Sequence, residues 1–228
     1  MPDIYVNKFG RNIDADTGDD VWDAGGAYPF PSAAAATTVE SSSVADTLLG
    51  TGARTVEIQG LDANYEFISE TAELDGTTPV TLANEYLRVY RAKVLTAGTG
   101  ENNAGNIDIK HGATVLARIS ANYGQTLMAI YTTRAGHYGW INRWRAVADG
   151  NSAAKIAIQT RNAGGAWQTK DVAILTTSSS TFDVEYQFFK KVPEKTDLRV
   201  RVLEGANNLD IVSQLDIKES TEGEVFGR

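Results

Sequence analysis

We predict an all-β fold of antiparallel strands, arranged as a β-sandwich or a jelly roll, on three observations. Many segments alternate apolar and polar residues with a period of two, which is typical of strands that bury one face. Glycine, asparagine and aspartate turn signals recur roughly every ten residues. No window shows the periodicity of an amphipathic helix of ten or more residues.

Alternating segments cover much of the chain after residue 36. Val56 and Ile58 share one face of the segment Thr55–Gln59, and a GLDAN turn separates it from a second alternating run at Tyr65–Leu74, so we expect a hairpin there. Four further segments of this kind lie at residues 86–95, 182–188, 197–203 and 209–217. Together these patterns predict roughly a dozen strands.

The chain divides into three parts on these patterns. We expect an extended N-terminal arm at residues 1–35, a β-sandwich unit at 36–122 and a second β-sandwich unit at 123–228. The boundary is placed where the sequence SANYGQ interrupts the alternation. One large sandwich with long strands is the alternative.

Composition excludes several classes of protein. The chain has 228 residues, long enough to bury a core, and no cysteine, which rules out disulfide scaffolds and zinc–thiolate sites. The net charge of −8 argues against a basic surface for nucleic acid. The N-terminus lacks the apolar region of a signal peptide, and no run has the length of a membrane span, so we expect neither secretion nor a membrane partner.

The negative charge is concentrated near the N-terminus. Residues 1–50 hold eight acidic and two basic side chains, whereas the other 178 residues hold 21 and 19. Glycine and proline interrupt the first 35 residues, so we expect at most a short strand there. We predict that this arm binds a partner surface, with a loop packed on its own domain as the equal alternative. The predicted contact residues are Asp14, Asp16, Asp19, Asp20, Trp22, Tyr28 and Phe30.

No motif for catalysis or for a cofactor is present, so we expect a protein that is not an enzyme and needs neither cofactor nor metal. His111 and His137 each lie beside a glycine, outside any metal-ligand spacing. The stretch Asp14–Asp20 (DADTGDD) lacks the glycine at position six and the glutamate at position twelve of an EF-hand. A looser oxygen-ligand site for a hard cation stays open there.

The segment HYGWINRWR is the most individual stretch of the chain. On a regular strand Trp140 and Trp144 share one face and Arg143 lies on the other. With Trp167 these residues would form a protein interface or a sugar platform, because tryptophan and arginine are enriched in such sites. The alternative is that Trp140 and Trp144 are core residues and the arginine stems cover the surface.

Several segments resemble virion structural proteins of tailed bacteriophages. The resemblance covers residues 38–136 most closely and includes no catalytic motif. The segments that carry it are SSSVADTLLGTGARTVEIQGL, DANYEFISETAELDGTTPV, YLRVYRA, NAGNIDI, GQTLMAIYTTRAG and PEKTDLRVRV.

The resemblance implies a non-enzymatic component of a virus particle. It would be a capsid decoration or cement protein or a head-fibre component, which binds the assembled particle through its N-terminal arm and stabilises it. Its partners would be other virion proteins and copies of itself, for example in a trimer. It would be made in the host cytoplasm and reside in the virion. A tail accessory protein or a host-surface carbohydrate-binding protein is the alternative function.

Overall fold

A computed structural model of the chain describes residues 4–149, 153–205 and 209–221. These residues contain fifteen β-strands and no helix, so the structure offers no helix that could cross a membrane. Strands β1 to β8 are Ile4–Asn12, Thr38–Ser41, Ala53–Leu61, Phe67–Glu73, Val80–Thr81, Arg88–Ala97, Ile107–His111 and Thr114–Ile119. Strands β9 to β15 are Ile130–Thr132, Tyr138–Asp149, Ala154–Asn162, Gln168–Leu175, Thr181–Val192, Thr196–Glu204 and Asp210–Ser220. The pairings between them are antiparallel, which confirms the predicted all-β class.

The chain forms two compact units, and the first is discontinuous in sequence. Unit 1 comprises Met1–Tyr28 and Ala129–Arg228, and unit 2 comprises Pro29–Met128. Unit 2 is therefore an insertion between β1 and β9 of unit 1. The alternation of residues along a chain does not show which strands pair with one another. The sequence alone therefore predicts a separate N-terminal arm and does not show that these residues belong to the same unit as the C-terminal half.

Unit 1 is a sandwich of two four-stranded sheets. Sheet I has the order β1-β15-β10-β13 and sheet II the order β12-β11-β14-β9. Counted along unit 1 alone, the eight strands stand in the orders 1-8-3-6 and 5-4-7-2. This is the strand order of a jelly roll, in which two Greek keys fold into facing sheets.

The two chain segments that connect unit 1 to unit 2 meet beside β14. The Ala129 N–H donates to the Val21 carbonyl at 2.9 Å, and Gly10 of β1 lies directly against both groups. A Cβ at Gly10 would lie 2.3 Å from the Ala129 nitrogen and from the Val21 oxygen. Glycine is required at this position because only a missing side chain permits so close an approach of backbones.

The N-terminal segment is an integral part of unit 1. Strand β1 pairs with β15 along all nine of its residues, which is a longer strand than the sequence predicted. The reason is an inverted pattern: Lys8 and Gly10 face inward, whereas Tyr5 and Phe9 face outward. The usual pattern of a strand has apolar side chains facing inward and polar ones facing outward, so this segment does not look like a strand in the sequence.

Unit 2 also consists of two antiparallel sheets, with the orders β5-β2-β7-β8 and β4-β3-β6. The predicted hairpin is formed by β3 and β4. Apolar side chains from these strands and from the segment before β6 fill the core of the unit. They include Val56, Ile58, Tyr86, Ile107, Ile109, Leu116 and Ile119, all fully buried.

Candidate functional site

The acidic residues of the N-terminal segment differ in exposure. Asp14 and Asp16 are exposed, and Asp19 is half-buried. One carboxylate oxygen of Asp19 accepts hydrogen bonds from the Asp16 backbone N–H at 3.2 Å and from Asn12 Nδ2 at 3.3 Å. Among the described residues no cluster of acidic or histidine side chains has the arrangement of a metal site.

Asp20 is fully buried against the outer side of β14. Its carboxylate accepts hydrogen bonds from the Tyr28 backbone N–H at 2.8 Å and from Arg201 Nη1 at 3.2 Å, and Arg199 Nη1 lies 3.5 Å away. Burial raises the pKa of Asp20, and the two guanidinium groups oppose that rise. Burial likewise lowers the pKa of Arg199. Asp20 thus attaches the N-terminal segment to the sheet.

The three aromatic residues expected to contact a partner have buried side chains. Trp22 and Tyr28 are buried and meet edge-to-face, with ring centroids 5.1 Å apart. Phe30 is buried in unit 2, where the Arg88 guanidinium lies 5.5 Å from its ring centre. Their burial is that of a loop packed on its own domain, because a partner has no access to these rings.

A β-bulge in β10 determines which side chains of the tryptophan segment face the solvent. The pairing with both neighbouring strands shifts between Ile141 and Arg143. Trp140 precedes the bulge and faces outward, whereas Trp144 follows it and is fully buried. The expectation that the two tryptophans share one face is therefore wrong, since one extra residue reverses the alternation.

Trp144 is part of the core of unit 1. Its Nε1 donates to Ser213 Oγ at 3.0 Å, and its ring meets Phe182 edge-to-face at 4.9 Å. A side chain in this position stabilises the sandwich and is closed to any external ligand.

Arg143 lies on the outer face of sheet I. Its guanidinium donates to both carboxylate oxygens of Asp183, at 2.8 and 2.5 Å. This hydrogen-bonded pair raises the pKa of Arg143 and lowers that of Asp183. Both side chains are well exposed, so the pair contributes little to stability.

Trp140 lies in a row of aromatic and cationic side chains that crosses the outer face of sheet I. Tyr5 of β1 is opposite Lys218 of β15, which is opposite Trp140, which is in turn opposite Lys191 of β13. The Lys191 ammonium lies 3.9 Å from the ring centre of Tyr138 and 5.4 Å from that of Trp140. Such distances are those of cation–π contacts.

Trp167 lies outside the strands, next to sheet II. The guanidinium carbon of Arg199 is 3.9 Å from its ring centre, and that of Arg161 is 4.6 Å away. Each arginine also has an acidic or amide partner, since Arg161 pairs with Asp197 at 2.8 Å and Arg199 with Gln159 at 2.9 Å. The Trp167 ring thus contacts arginines of sheet II, whereas Trp140 belongs to sheet I.

Two polar clusters were not predicted from the sequence. Buried Asp46 accepts four hydrogen bonds in unit 2, from Ser41 Oγ and from three backbone N–H groups at 2.6–2.9 Å. In unit 1, Tyr186 of sheet I donates to Asp171 of sheet II at 2.7 Å, and Lys190 lies 3.4 Å from the same carboxylate. Burial alone would raise the pKa of Asp171, but the donors, Tyr186 first, lower it overall.

The signal for both clusters is weak in the sequence. Their members are separated by up to 59 residues, as for Asp46 and Gly105, and aspartate in a glycine- and serine-rich segment is equally typical of an exposed turn.

Comparisons with known proteins find only distant likeness. No protein-family model and no curated protein matches the chain. A structure of infectious bursal disease virus Gt strain is 8% identical over 99% of this chain and 74% of that chain, with a TM-score of 0.24. For the Gx strain the values are 8%, 96%, 71% and 0.24, and for the VP2 subviral particle of the same virus 8%, 96%, 72% and 0.19. A likeness at these TM-scores carries no argument about function.

Proposed function

We propose that this chain is a non-enzymatic structural component of a virus particle. The observation that carries the proposal is the strand order of unit 1, which is that of a jelly roll. Jelly rolls occur in viral capsid domains, in lectins and in cupins. Because a fold does not by itself imply a function, the packing of the unit must distinguish these classes.

The interior of unit 1 favours a structural role. The space between sheets I and II is filled by large apolar side chains, with Trp144 and Ile141 from one sheet and Ile156 and Ile158 from the other, all fully buried. A jelly roll that encloses a small-molecule ligand needs a cavity lined with convergent polar groups. A filled interior instead supports a body whose function lies on its surface.

Within this class we propose a decoration or cement protein of the kind found in tailed bacteriophages. It would bind the assembled particle as a homo-oligomer, such as a trimer. The exposed carboxylates Asp14 and Asp16 support an attachment through the acidic N-terminal segment, since opposite charge on a shell surface would steer and orient the contact.

Immunogold labelling tests the structural role. Particles released from cells that make this protein are purified on a gradient and labelled with antibody against unit 1. We expect gold at regular positions on the particle surface. Recovery of the protein in the soluble fraction alone would contradict the proposal.

Charge-reversal variants test the attachment. Asp14→Lys combined with Asp16→Lys should lower the occupancy of the protein on particles. The matched control is Asp149→Lys with Asp210→Lys, which makes the same change of charge at two exposed positions of unit 1. Equal occupancy of the two double variants would exclude the acidic segment as the contact.

A further inference from the structure

The loop between β2 and β3, residues 42–52 of unit 2, carries apolar side chains at exposed positions. Val44, Leu48 and Leu49 are 77%, 45% and 91% exposed. We name these three side chains the apolar tip. Isolated apolar residues are common on protein surfaces, but three within six residues of one loop are a feature of binding surfaces.

The turns of this loop do not require apolar residues. The segments 43–46 and 47–50 are each closed by a backbone hydrogen bond between the first and the last residue, at 3.2 and 2.8 Å. Val44 is a central residue of the first turn, and Leu48 and Leu49 are the central residues of the second. Such positions favour glycine, proline, asparagine, aspartate and serine. Turn formation therefore does not explain the valine and the two leucines.

The loop is held in one conformation by the rest of unit 2. The Gly52 N–H donates to the Ala45 carbonyl at 2.9 Å, and the Gly76 N–H donates to the Asp46 carbonyl at 2.8 Å. The buried Asp46 carboxylate adds its four hydrogen bonds. A Cβ at Gly50 would lie 2.1 Å from the Ala45 carbonyl oxygen, so the backbone is closely packed. An anchor that is ordered before binding loses less entropy when it binds.

Unit 2 is acidic as a whole and also beside the apolar tip. It holds 11 acidic and six basic side chains, a net charge of −5. Asp75 is exposed, and its backbone pairs with that of Thr47 in the loop. Glu101 is exposed and follows the segment 98–100, whose backbone hydrogen-bonds to the loop. Arg54 donates to a loop carbonyl at 3.2 Å, but the acidic excess favours a partner surface of positive charge.

The size and the charge of this surface argue against a second copy of the chain as the partner. Three side chains are far smaller than the roughly 800 Å² that each partner contributes to a standard stable interface. Two copies that met tip to tip would also bring two acidic units together. The apolar tip instead suits the centre of a larger contact with a different protein, where buried apolar anchors carry most of the binding energy.

We propose that the apolar tip inserts into an apolar pocket with a basic rim on the shell protein of the particle. Val44 and Leu49 would fill the pocket, and Asp75 and Glu101 would face its rim. The inference rests on the proposed structural role and adds a second contact to that of the acidic N-terminal segment. An anionic lipid surface suits the tip less well, because it would repel the acidic side chains beside it.

Surface variants of the full chain test the contact. Val44→Ser combined with Leu49→Ser should lower the ratio of this protein to the shell protein in gradient-purified particles about tenfold, the factor expected when at least one buried leucine is lost. The matched control is Ile174→Ser with Phe188→Ser, at side chains of unit 1 that are 65% and 85% exposed, and its ratio should equal that of the wild type. Because serine is a common turn residue, we expect the loop variant to fold, and thermal melting verifies this.

Photo-crosslinking identifies the partner. Leu49 is replaced by p-benzoylphenylalanine, purified particles are irradiated, and the crosslinked peptides are sequenced by mass spectrometry. We expect an adduct of one copy of this chain with one shell protein, in a segment of apolar residues flanked by lysine or arginine. Flotation of the purified chain with phosphatidylcholine–phosphatidylglycerol vesicles is the lipid test, and we expect the chain to stay unbound.

Each contrary result has a distinct meaning. Equal ratios for the loop variant and the wild type would overturn this inference and leave the structural role intact. An adduct between two copies of the chain, or flotation with the vesicles, would assign the apolar tip to self-association or to lipid and would also overturn it. Absence of the wild-type chain from purified particles would overturn the structural role and this inference together.

Discussion

Asp46 shows how a single buried carboxylate organises the loops of unit 2. Its oxygens accept from Ser41, Ala53, Ala104 and Gly105, which belong to three separate parts of the chain. A carboxylate can accept four hydrogen bonds at once, and no neutral side chain of this size can do so. The residue type is therefore determined by the number of donors that converge on it.

Replacing Asp46 by asparagine should destabilise unit 2 by about 2–4 kcal/mol, because the amide nitrogen must face N–H donors and leave them unsatisfied. The measurement is urea unfolding followed by circular dichroism. Asp75→Asn is the control at an exposed position and should stay within about 0.5 kcal/mol of the wild type. A similar small effect at Asp46 would contradict the role given to it.

His111 should make unfolding pH-dependent near neutrality. Burial lowers its pKa below the ordinary value of 6.5, and its Nε2 has no hydrogen-bond partner among residues 4–149, 153–205 and 209–221. As pH falls through 6.5 the unfolded chain binds a proton that the folded chain does not, so the free energy of unfolding decreases. Denaturant titrations at a series of pH values measure this.

His111→Gln separates this effect from that of the carboxylates. The variant should lose the decrease that begins as the pH falls through about 6.5, whereas the ion-paired Asp183, whose pKa is lowered from 3.8, loses its contribution only in more acidic solution. An unchanged pH profile in the variant would show that another group is responsible.

At the residue scale, the sequence shows which side chains carry charge but not which groups they pair with. The acidic N-terminal stretch is evident from the sequence, whereas the difference between exposed Asp14 and buried Asp20 is not, because the burial of Asp20 depends on Arg199 and Arg201 about 180 residues away. For the same reason Asp46 was not recognised.

At the scale of the element, the bulge of β10 explains why Trp140 and Trp144 differ from the expectation that they share one face. Regular alternation places Trp140 and Trp144 on one face, but the shift after Ile141 sends one outward and the other into the core. A bulge has no reliable signal in a single sequence, because it depends on the register of both neighbouring strands. The period of two predicts β10 as a strand, but it does not predict the bulge within it.

The two tryptophans should therefore respond differently to substitution by phenylalanine. Trp144→Phe should cost about 2 kcal/mol, since it loses core volume and the hydrogen bond to Ser213. Trp140→Phe should cost less than about 1 kcal/mol, because its ring lies on the surface. Urea unfolding compares them, and equal costs would mean that the bulge does not reverse the two faces.

At the scale of the molecule, the notable feature is an insertion of one β-unit into another. The jelly roll of unit 1 is interrupted once, between β1 and β9, and the two connecting segments share the hydrogen bond between Val21 and Ala129. The sequence predicts two β-units but not their discontinuity, since periodicity contains no information on pairing across more than 200 residues, as between Ile4 and Glu219.

Excision of unit 2 tests this organisation. A chain in which a short glycine–serine linker joins Tyr28 to Ala129 should fold and retain the near-ultraviolet circular dichroism of buried Trp144, because all eight jelly-roll strands remain. Aggregation, or loss of that signal, would show that unit 1 does not fold without its insertion.

The central claim, a structural role in a virus particle, is tested most directly by quantitative mass spectrometry of gradient-purified particles. The account predicts that this protein accompanies the particles through successive gradients in a fixed ratio to the main shell protein, as symmetric assembly requires. A ratio that falls towards zero with each purification step would contradict the claim.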